Sequence, residues 1–162
     1  MIVERRSVQQ VATLPLSVVA GSVEVLLVST RRQQRWVVPK GWPVKTLSFP
    51  EAAAEEAREE AGLIGLVDDE PIGSYIYRKQ LEEGYDVPCH VFVYPMLVQQ
   101  HRLDWPERGQ RSMKWCSLGT AAELVRDRNL ATLLVKLEKD GSTAVSSVLT
   151  KLMAEAEFAE SA

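Results

Sequence analysis

Short apolar, β-branched runs alternate with polar breaks along the first third of the chain. Val11 to Val19 (VATLPLSVV) predicts one strand and Val23 to Ser29 (VEVLLVS) a second, with a turn at Ala20 to Ser22 between them. Arg31 to Arg35 is a polar, basic loop, and the apolar run Trp36 to Val38 stops at Pro39. Pro39 to Pro50 holds one glycine and three prolines and reads as a structured loop. The period then changes to that of a helix. Ser48 followed by Glu51 is a capping-box pattern, Pro50 is tolerated in the first turn, and AAAEEAREEA runs to Gly62, a natural C-terminal stop. The alanines Ala52, Ala53, Ala54, Ala57 and Ala61 make this helix slim enough to lie close to a sheet. Beyond it, Ile72 to Tyr77 and Val87 to Leu97 read as strands joined by the turn EEGYD, and Arg111 to Trp115 as another strand. Ser117 opens a helix (LGTAAELV) and Leu130 to Leu137 another. From Ser142 to Phe158, Val145, Val148, Leu149, Leu152, Met153 and Ala156 recur at amphipathic helical spacing. The mixture predicts an α/β (α+β) layered domain over residues 8–139, followed by a helical tail over 140–162.

Composition narrows the function. At 162 residues the chain has enough apolar material for one core, and no run approaches the roughly 18 apolar residues of a membrane helix. MIVERRSVQQ has no apolar segment behind its basic pair, so no secretory signal is expected and the expected location is cytoplasmic. Cys89 and Cys116 lack metal-ligand spacing and read as buried thiols; His90 and His101 are equally isolated, which leaves no zinc pattern. A net charge of −3 argues against a nucleic-acid coat. A small polyanion needs only a local basic cluster.

The helix carries the chemistry. Residues three and four apart share a helical face, so Glu56, Glu59 and Glu60 converge, with Glu55 beside them. The like-charge pairs Glu55/Glu59 and Glu56/Glu60 each cost an isolated helix about 0.2–0.5 kcal/mol. Arg58 can offset Glu55 but does not reach the face of Glu56 and Glu60. A hard divalent cation is the natural neutraliser of that face: Mg²⁺ prefers oxygen ligands and commonly bridges to substrate phosphates.

Gly41 to Leu63 (GWPVKTLSFPEAAAEEAREEAGL) spans 23 positions and resembles the Nudix box, Gly-x5-Glu-x7-Arg-Glu-U-x-Glu-Glu-x-Gly-U, where U is a bulky apolar residue. Gly41, Glu56, Glu59, Glu60, Gly62 and Leu63 fall in register, Ala57 takes the first U position, and Pro39-Lys40 resembles the usual approach to the motif. Two positions depart from it. Leu47 stands where the first glutamate belongs and Glu55 where the arginine belongs. In the family those two are expected to fix the loop on the helix by charge pairing. Because both are changed, neither is left as an orphan charge.

The resemblance implies a Nudix fold, a mixed β-sheet sandwiched between helices (α-β-α). It also implies hydrolysis of a phosphoanhydride, a diphosphate linked to another moiety, dependent on Mg²⁺ or alternatively Mn²⁺. Glu56, Glu59 and Glu60 would be the catalytic metal ligands, with the Lys40 backbone carbonyl as a further ligand. Outside the box, VLLVSTRRQQRWVVPKGWP and LDWPERGQRSMKWCSLGTAAELV resemble diphosphoinositol polyphosphate phosphohydrolases and their bacterial relatives. That likeness implies a phosphate-rich substrate such as an inositol pyrophosphate, a dinucleoside oligophosphate or inorganic polyphosphate. Arg31, Arg32, Lys40, Gly41 and Arg111 are the candidate substrate-binding residues, since arginine grips phosphate by charge-assisted bonds. Candidate general bases are Glu56, Glu83 and Glu107. Trp42 packs the loop or stacks on a base; Trp36 and Trp115 read as sheet residues. The alternative function is a non-catalytic metabolite-sensing domain on the same scaffold. The expected assembly is a monomer or homodimer, with no membrane partner.

Overall fold

Alternate residues of one strand, β2 (Ser22–Ser29), enter two different cores. Val25 and Leu27 pack on one side of the sheet and Leu26 and Val28 on the other, which is the period-2 alternation of a strand buried on both faces. Two faces therefore need covering, and helices cover both. The computed structural model describes residues 7–82, 84–139 and 143–161.

β1 (Val8–Val19) and β2 form a hairpin whose turn residues, Ala20 (φ 51°) and Gly21 (φ 80°), both lie in the left-handed region, as a two-residue turn between twisted strands requires. β3 (Trp36–Val37) pairs with β2, and β4 (Lys40–Gly41) with β1. After helix α1 (Phe49–Ala61) come β5 (Leu63–Val67), β6 (Gly73–Gln80), β7 (Asp86–His101) and β8 (Met113–Cys116). The main path of the sheet is β3-β2-β1-β7-β5; β6 also pairs with β7 and β8 with β2. The β1–β7 pair is parallel and the others are antiparallel, so the sheet is mixed.

Helix α1 covers one face. Its Ala52 and Ala53 meet Val11 and Tyr94, and its Ala57 and Ala61 meet Leu26, Val28 and Met96. On the other face lie α2 (Leu118–Leu124), α3 (Arg128–Lys139) and α4 (Thr143–Ser161). Leu130, Leu134, Val145 and Leu149 pack there with Leu14, Leu27 and Val91. The expected α-β-α sandwich is the observed architecture. Helix α4 buries Val145, Val148, Leu149 and Leu152 of the stripe read from its sequence and leaves Met153 exposed and Ala156 half-buried; its expected first residue, Ser142, lies outside the described residues.

Several elements depart from the sequence reading: β1 begins at Val8, three residues before Val11, β6 runs on to Gln80, α3 extends from Arg128 to Lys139, and the loop after Pro39 contains β4. β5 follows directly on Gly62, where no strand was expected, because LIGLV is too short for periodicity to mark it. A β-bulge at Ile64/Gly65 interrupts its pairing, and a side chain at Gly65 would run into the Leu97 carbonyl. β7 continues past Leu97 through Val98 and Gln99 to His101, and β8 begins two residues later than Arg111. Among the described residues no helix is long and apolar enough to cross a membrane.

Candidate active site

The capping of α1 sets the direction of its acidic face. Ser48 accepts from the Glu51 backbone N–H at 3.3 Å, and the Ser48 N–H donates back to the Glu51 carboxylate at 3.0 Å, so the expected capping box is complete. At the other end Gly62 adopts φ 70° and closes the helix. A side chain at Gly62 would meet the Trp105 ring at 2.6 Å, so the glycine serves both turn and packing.

The loop before α1 is held by apolar contacts rather than charge. Leu47 and Phe49 pack against the cluster of Val11, Ala52, Ala53 and Tyr94. Glu55, with no arginine of its own position to contend with, forms an ion pair with Arg58 one turn along, with Arg58 Nε donating at 3.1 Å. The pair of departures thus substitutes one anchor for another. A glutamate introduced at 47 has no partner and must leave that apolar cluster. Leu47→Glu is therefore expected to lose about 1–2 kcal/mol of stability. Adding Glu55→Arg should recover part of that loss, as read by urea denaturation; an unchanged midpoint in Leu47→Glu would remove the apolar anchor from this account.

Four carboxylates gather beyond that anchor. Glu60 is buried, and its neighbours Glu56 and Glu59 are half-buried. Glu107 reaches them from the segment between β7 and β8, tied by the Arg102 N–H to the Gly62 carbonyl (2.8 Å) and by the Glu107 N–H to the Glu59 carbonyl (3.1 Å). Arg111 crosses the floor of the site. Its Nε donates to Glu107 at 3.1 Å, its Nη2 stands 3.4 Å from Glu60, and its Nη1 donates to the Ser29 carbonyl at 3.1 Å. The arginine expected to touch substrate is thus engaged at all three nitrogens by protein groups.

Burial, followed by the neighbouring charges of Glu59 and Glu107, pushes the Glu56 carboxyl up to about 7. Burial also pushes Glu60 up to about 7, against the opposing pull of Arg111. Glu59 is raised as well, by burial first and then by Glu55. These shifts express negative charge that the protein itself only partly offsets. Gly41 explains part of the geometry, since a side chain there would overlap the Glu56 carboxyl. The Lys40 N–H donates to Glu60 at 3.3 Å and ties β4 to the helix. The Lys40 ammonium lies 5.0 Å from the centre of the Tyr77 ring, whose hydroxyl donates to Gln10 at 2.6 Å. Burial pulls this ammonium below its ordinary value, while Glu60 raises it.

One cleft of about 1090 Å³ brings these groups together. Glu56, Glu59, Glu60 and Arg111 line one part of it, and Arg31, Arg32, Lys40 and Gly41 another. All the site residues read from the sequence therefore share one space. Glu107 is also in it, whereas Glu83 lies outside the described residues. Gln10 and Lys79 also line the cleft; no local spacing marks Gln10 for it, and the sheet pairing of β6 and β1 with β7 carries both there. Trp42, expected to pack the loop, is 45% exposed, with the Lys79 ammonium 5.8 Å from its ring centre.

The donor set suits a hard divalent cation: carboxylate oxygens on one helical face, without thiol or imidazole. Among the described residues no three acidic, histidine or cysteine groups enclose a cation as they stand, because Glu60 turns to Arg111 and Glu55 to Arg58. A cation would compete with these guanidinium groups for the carboxylates.

No family model matches the chain. Nudix hydrolase 12, mitochondrial, of Arabidopsis thaliana is 34% identical over 107 residues, covering 64% of this chain and 53% of that protein. The chain therefore spans about half the length of the curated relatives it matches. Among solved structures, the C. elegans Ap4A hydrolase aligns with a TM-score of 0.60 at 18% identity, over 83% of this chain and 98% of that one. The NUDIX domain of Shewanella oneidensis NrtR, complexed with ADP ribose, aligns with a TM-score of 0.61 at 14% identity, over 85% of this chain and 90% of that one. These two structures share the fold; the relatives share sequence, and the glutamate motif stands in register on its loop and helix. By motif, relatives and fold, the chain belongs to the Nudix hydrolase family.

Proposed function

We propose that the chain hydrolyses a phosphoanhydride bond with the help of Mg²⁺, or Mn²⁺ in its place, and that its substrate is rich in phosphate. The observation that carries this reading is the convergence of Glu56, Glu59 and Glu60, with two carboxyls pushed up to about 7, in a cleft that also holds Arg31, Arg32 and Lys40. Carboxylates alone would repel a diphosphate. When bound, the divalent cation offsets the charge of the diphosphate and makes an attacking water more acidic.

The protein does the rest. Glu56, Glu59, Glu60 and the Lys40 carbonyl are the groups that would hold the cation. Arg111 keeps Glu60 and Glu107 in place, and a bound cation would compete with it for Glu60. Glu56 and Glu107 both line the cleft and are the candidate bases for the proton of the attacking water. Arg31 and Arg32, exposed at the cleft mouth, supply charge-assisted bonds to phosphates beyond the reacting pair. The location belonging to this reading is the cytoplasm, although several relatives are named as mitochondrial or chloroplastic.

The alternative, a sensing domain without catalysis, drew on Leu47 and Glu55. The apolar anchoring of Leu47 and the retained Glu56, Glu59 and Glu60 favour catalysis.

Replacing Arg31 and Arg32 together by alanine should raise KM for a substrate with at least about four phosphates several-fold more than for ADP-ribose, with weaker binding as salt rises. Steady-state kinetics on both compounds tests the substrate class. Equal effects on the two, or a wild-type preference for a plain nucleotide sugar, would make the basic loop a solvated surface.

A further inference from the structure

We infer that the substrate carries a second cluster of anionic groups, remote from the bond that is cut, and that this cluster sits in a separate basic cleft beside the glutamates, held by Arg35, Arg126 and Arg128. The inference rests on the phosphoanhydride reading above and extends it to the far end of the substrate.

A cleft of about 820 Å³ adjoins the glutamate cleft and shares Lys40 and Lys79 with it. The two spaces differ in their balance of charge. The first sets Glu55, Glu56, Glu59, Glu60, Glu82 and Glu107 against Arg31, Arg32, Lys40, Lys79 and Arg111, and a phosphate beside its helical glutamates needs a cation between. The second is lined by Arg35, Lys40, Arg78, Lys79, Arg126 and Arg128 against two acids, Asp86 and Asp127. Asp127 is already committed, since its carboxylate accepts from the N–H groups of Asn129 and Leu130 at 3.0 Å and caps α3. Arg78 donates to the Asp86 backbone carbonyl at 3.1 Å, which leaves its charge uncompensated. Arg35, Arg126 and Arg128 form no ion pair among the described residues.

A chain of net charge −3 has no general excess of cations to scatter. Six around one cleft repel each other, and an anion bound among them relieves that repulsion without any metal. Tyr75 forms part of the wall, which it also presents to the cleft between β6 and α3, is 5% exposed, and its buried hydroxyl has no hydrogen-bond partner among the described residues. The cleft's contributors come from the loop before β3, from β6, and from the connection between α2 and α3, so no single sequence motif announces it.

Clustered phosphates can be presented on a ring or along a chain. Inositol hexakisphosphate and inorganic tripolyphosphate are the two probes, titrated by calorimetry into the full chain with EDTA present. The wild type is expected to bind at least one of them without a divalent cation, and the tighter of the two reports whether ring or chain is preferred. Arg126→Ala with Arg128→Ala should weaken that binding at least about tenfold with an unchanged thermal unfolding midpoint, whereas Glu59→Gln should leave it unchanged. Absence of metal-free binding in the wild type, or equal affinity in the double variant, would overturn the inference. Hydrolysis of ADP-ribose by the wild type with Mg²⁺ separates the two claims: if it proceeds while the arginine pair proves indifferent, the second cleft falls and the proposed function stands. If no phosphoanhydride is cleaved while metal-free binding persists, the proposed function falls and the anion site stands.

Discussion

Glutamine at position 59 or 60 is expected to lower turnover at least about a hundredfold without unfolding the protein, because each change removes an anionic oxygen that would hold the cation. The two positions should differ in stability. Glu59 is 39% exposed at its side chain and near Arg58, so its amide should change stability little. Glu60 is 7% exposed at its side chain, and burial raises its carboxyl to about 7. A neutral amide there avoids burying charge and can still accept from the Lys40 N–H and from Arg111. Metal-free Glu60→Gln should therefore be as stable as the wild type or more so, while hydrolysing far less. That combination separates a ligand role from a structural one. Near-normal turnover in both variants would remove Glu59 and Glu60 from the metal assignment.

Loss of Arg111 should have the largest effect on stability. Its side chain is 11% exposed and spans Glu60, Glu107 and the Ser29 carbonyl. Arg111→Met keeps much of the volume and leaves two carboxylates and a carbonyl without their donor. Breaking a buried pair by removing one partner is strongly destabilising, here on the order of 3 kcal/mol at pH 8. The sign of the pH dependence follows from the raised carboxyls. Glu56 and Glu60 have folded pKa values of about 7 against an ordinary value of 4.5. Their contribution to stability is fully present below about 4.5 and is lost as pH rises through about 7. The metal-free wild type should thus lose stability between pH 5 and pH 8 from these two groups. In Arg111→Met the Glu60 carboxyl rises further. The gap between variant and wild type should then be small at pH 5, where Glu60 is protonated in both, and widest at pH 8. Urea denaturation at the two pH values measures it; a gap that is constant with pH would mean that Arg111 acts by packing rather than by charge.

Much of this was legible along the chain because it is local. The capping box of Ser48 and Glu51, the left-handed stop at Gly62, the alanine face of α1 and the convergence of its glutamates all depend on residues within one or two turns. What was not legible depends on the sheet. The parallel pairing of β1 with β7 brings Gln10 beside the site, and Tyr77 reaches Gln10 from β6. Arg126 and Arg128 lie far along the chain from the glutamate motif and enter the neighbourhood only through the packing of α3 on β6. Glu107 and Arg111 were legible as charges, but their mutual bond across the floor of the site was not. It depends on Trp105 filling the space over Gly62 and on backbone bonds that fold the segment back onto α1. The departures at Leu47 and Glu55 could be noticed in the sequence and explained only in three dimensions, where an apolar cluster replaces an ion pair.

The central claim is that the glutamate face of α1 cleaves a phosphoanhydride with a divalent cation. Product release, orthophosphate from an inositol pyrophosphate and nucleotides or sugar phosphate from a dinucleoside tetraphosphate and ADP-ribose, each with Mg²⁺ and with EDTA, tests it most directly when wild type and Glu59→Gln are run side by side. The account predicts release from at least one compound by the wild type with Mg²⁺, none above background with EDTA, and a loss of at least about a hundredfold in the variant. Equal release with and without Mg²⁺, or wild-type inactivity on all three compounds, would contradict it.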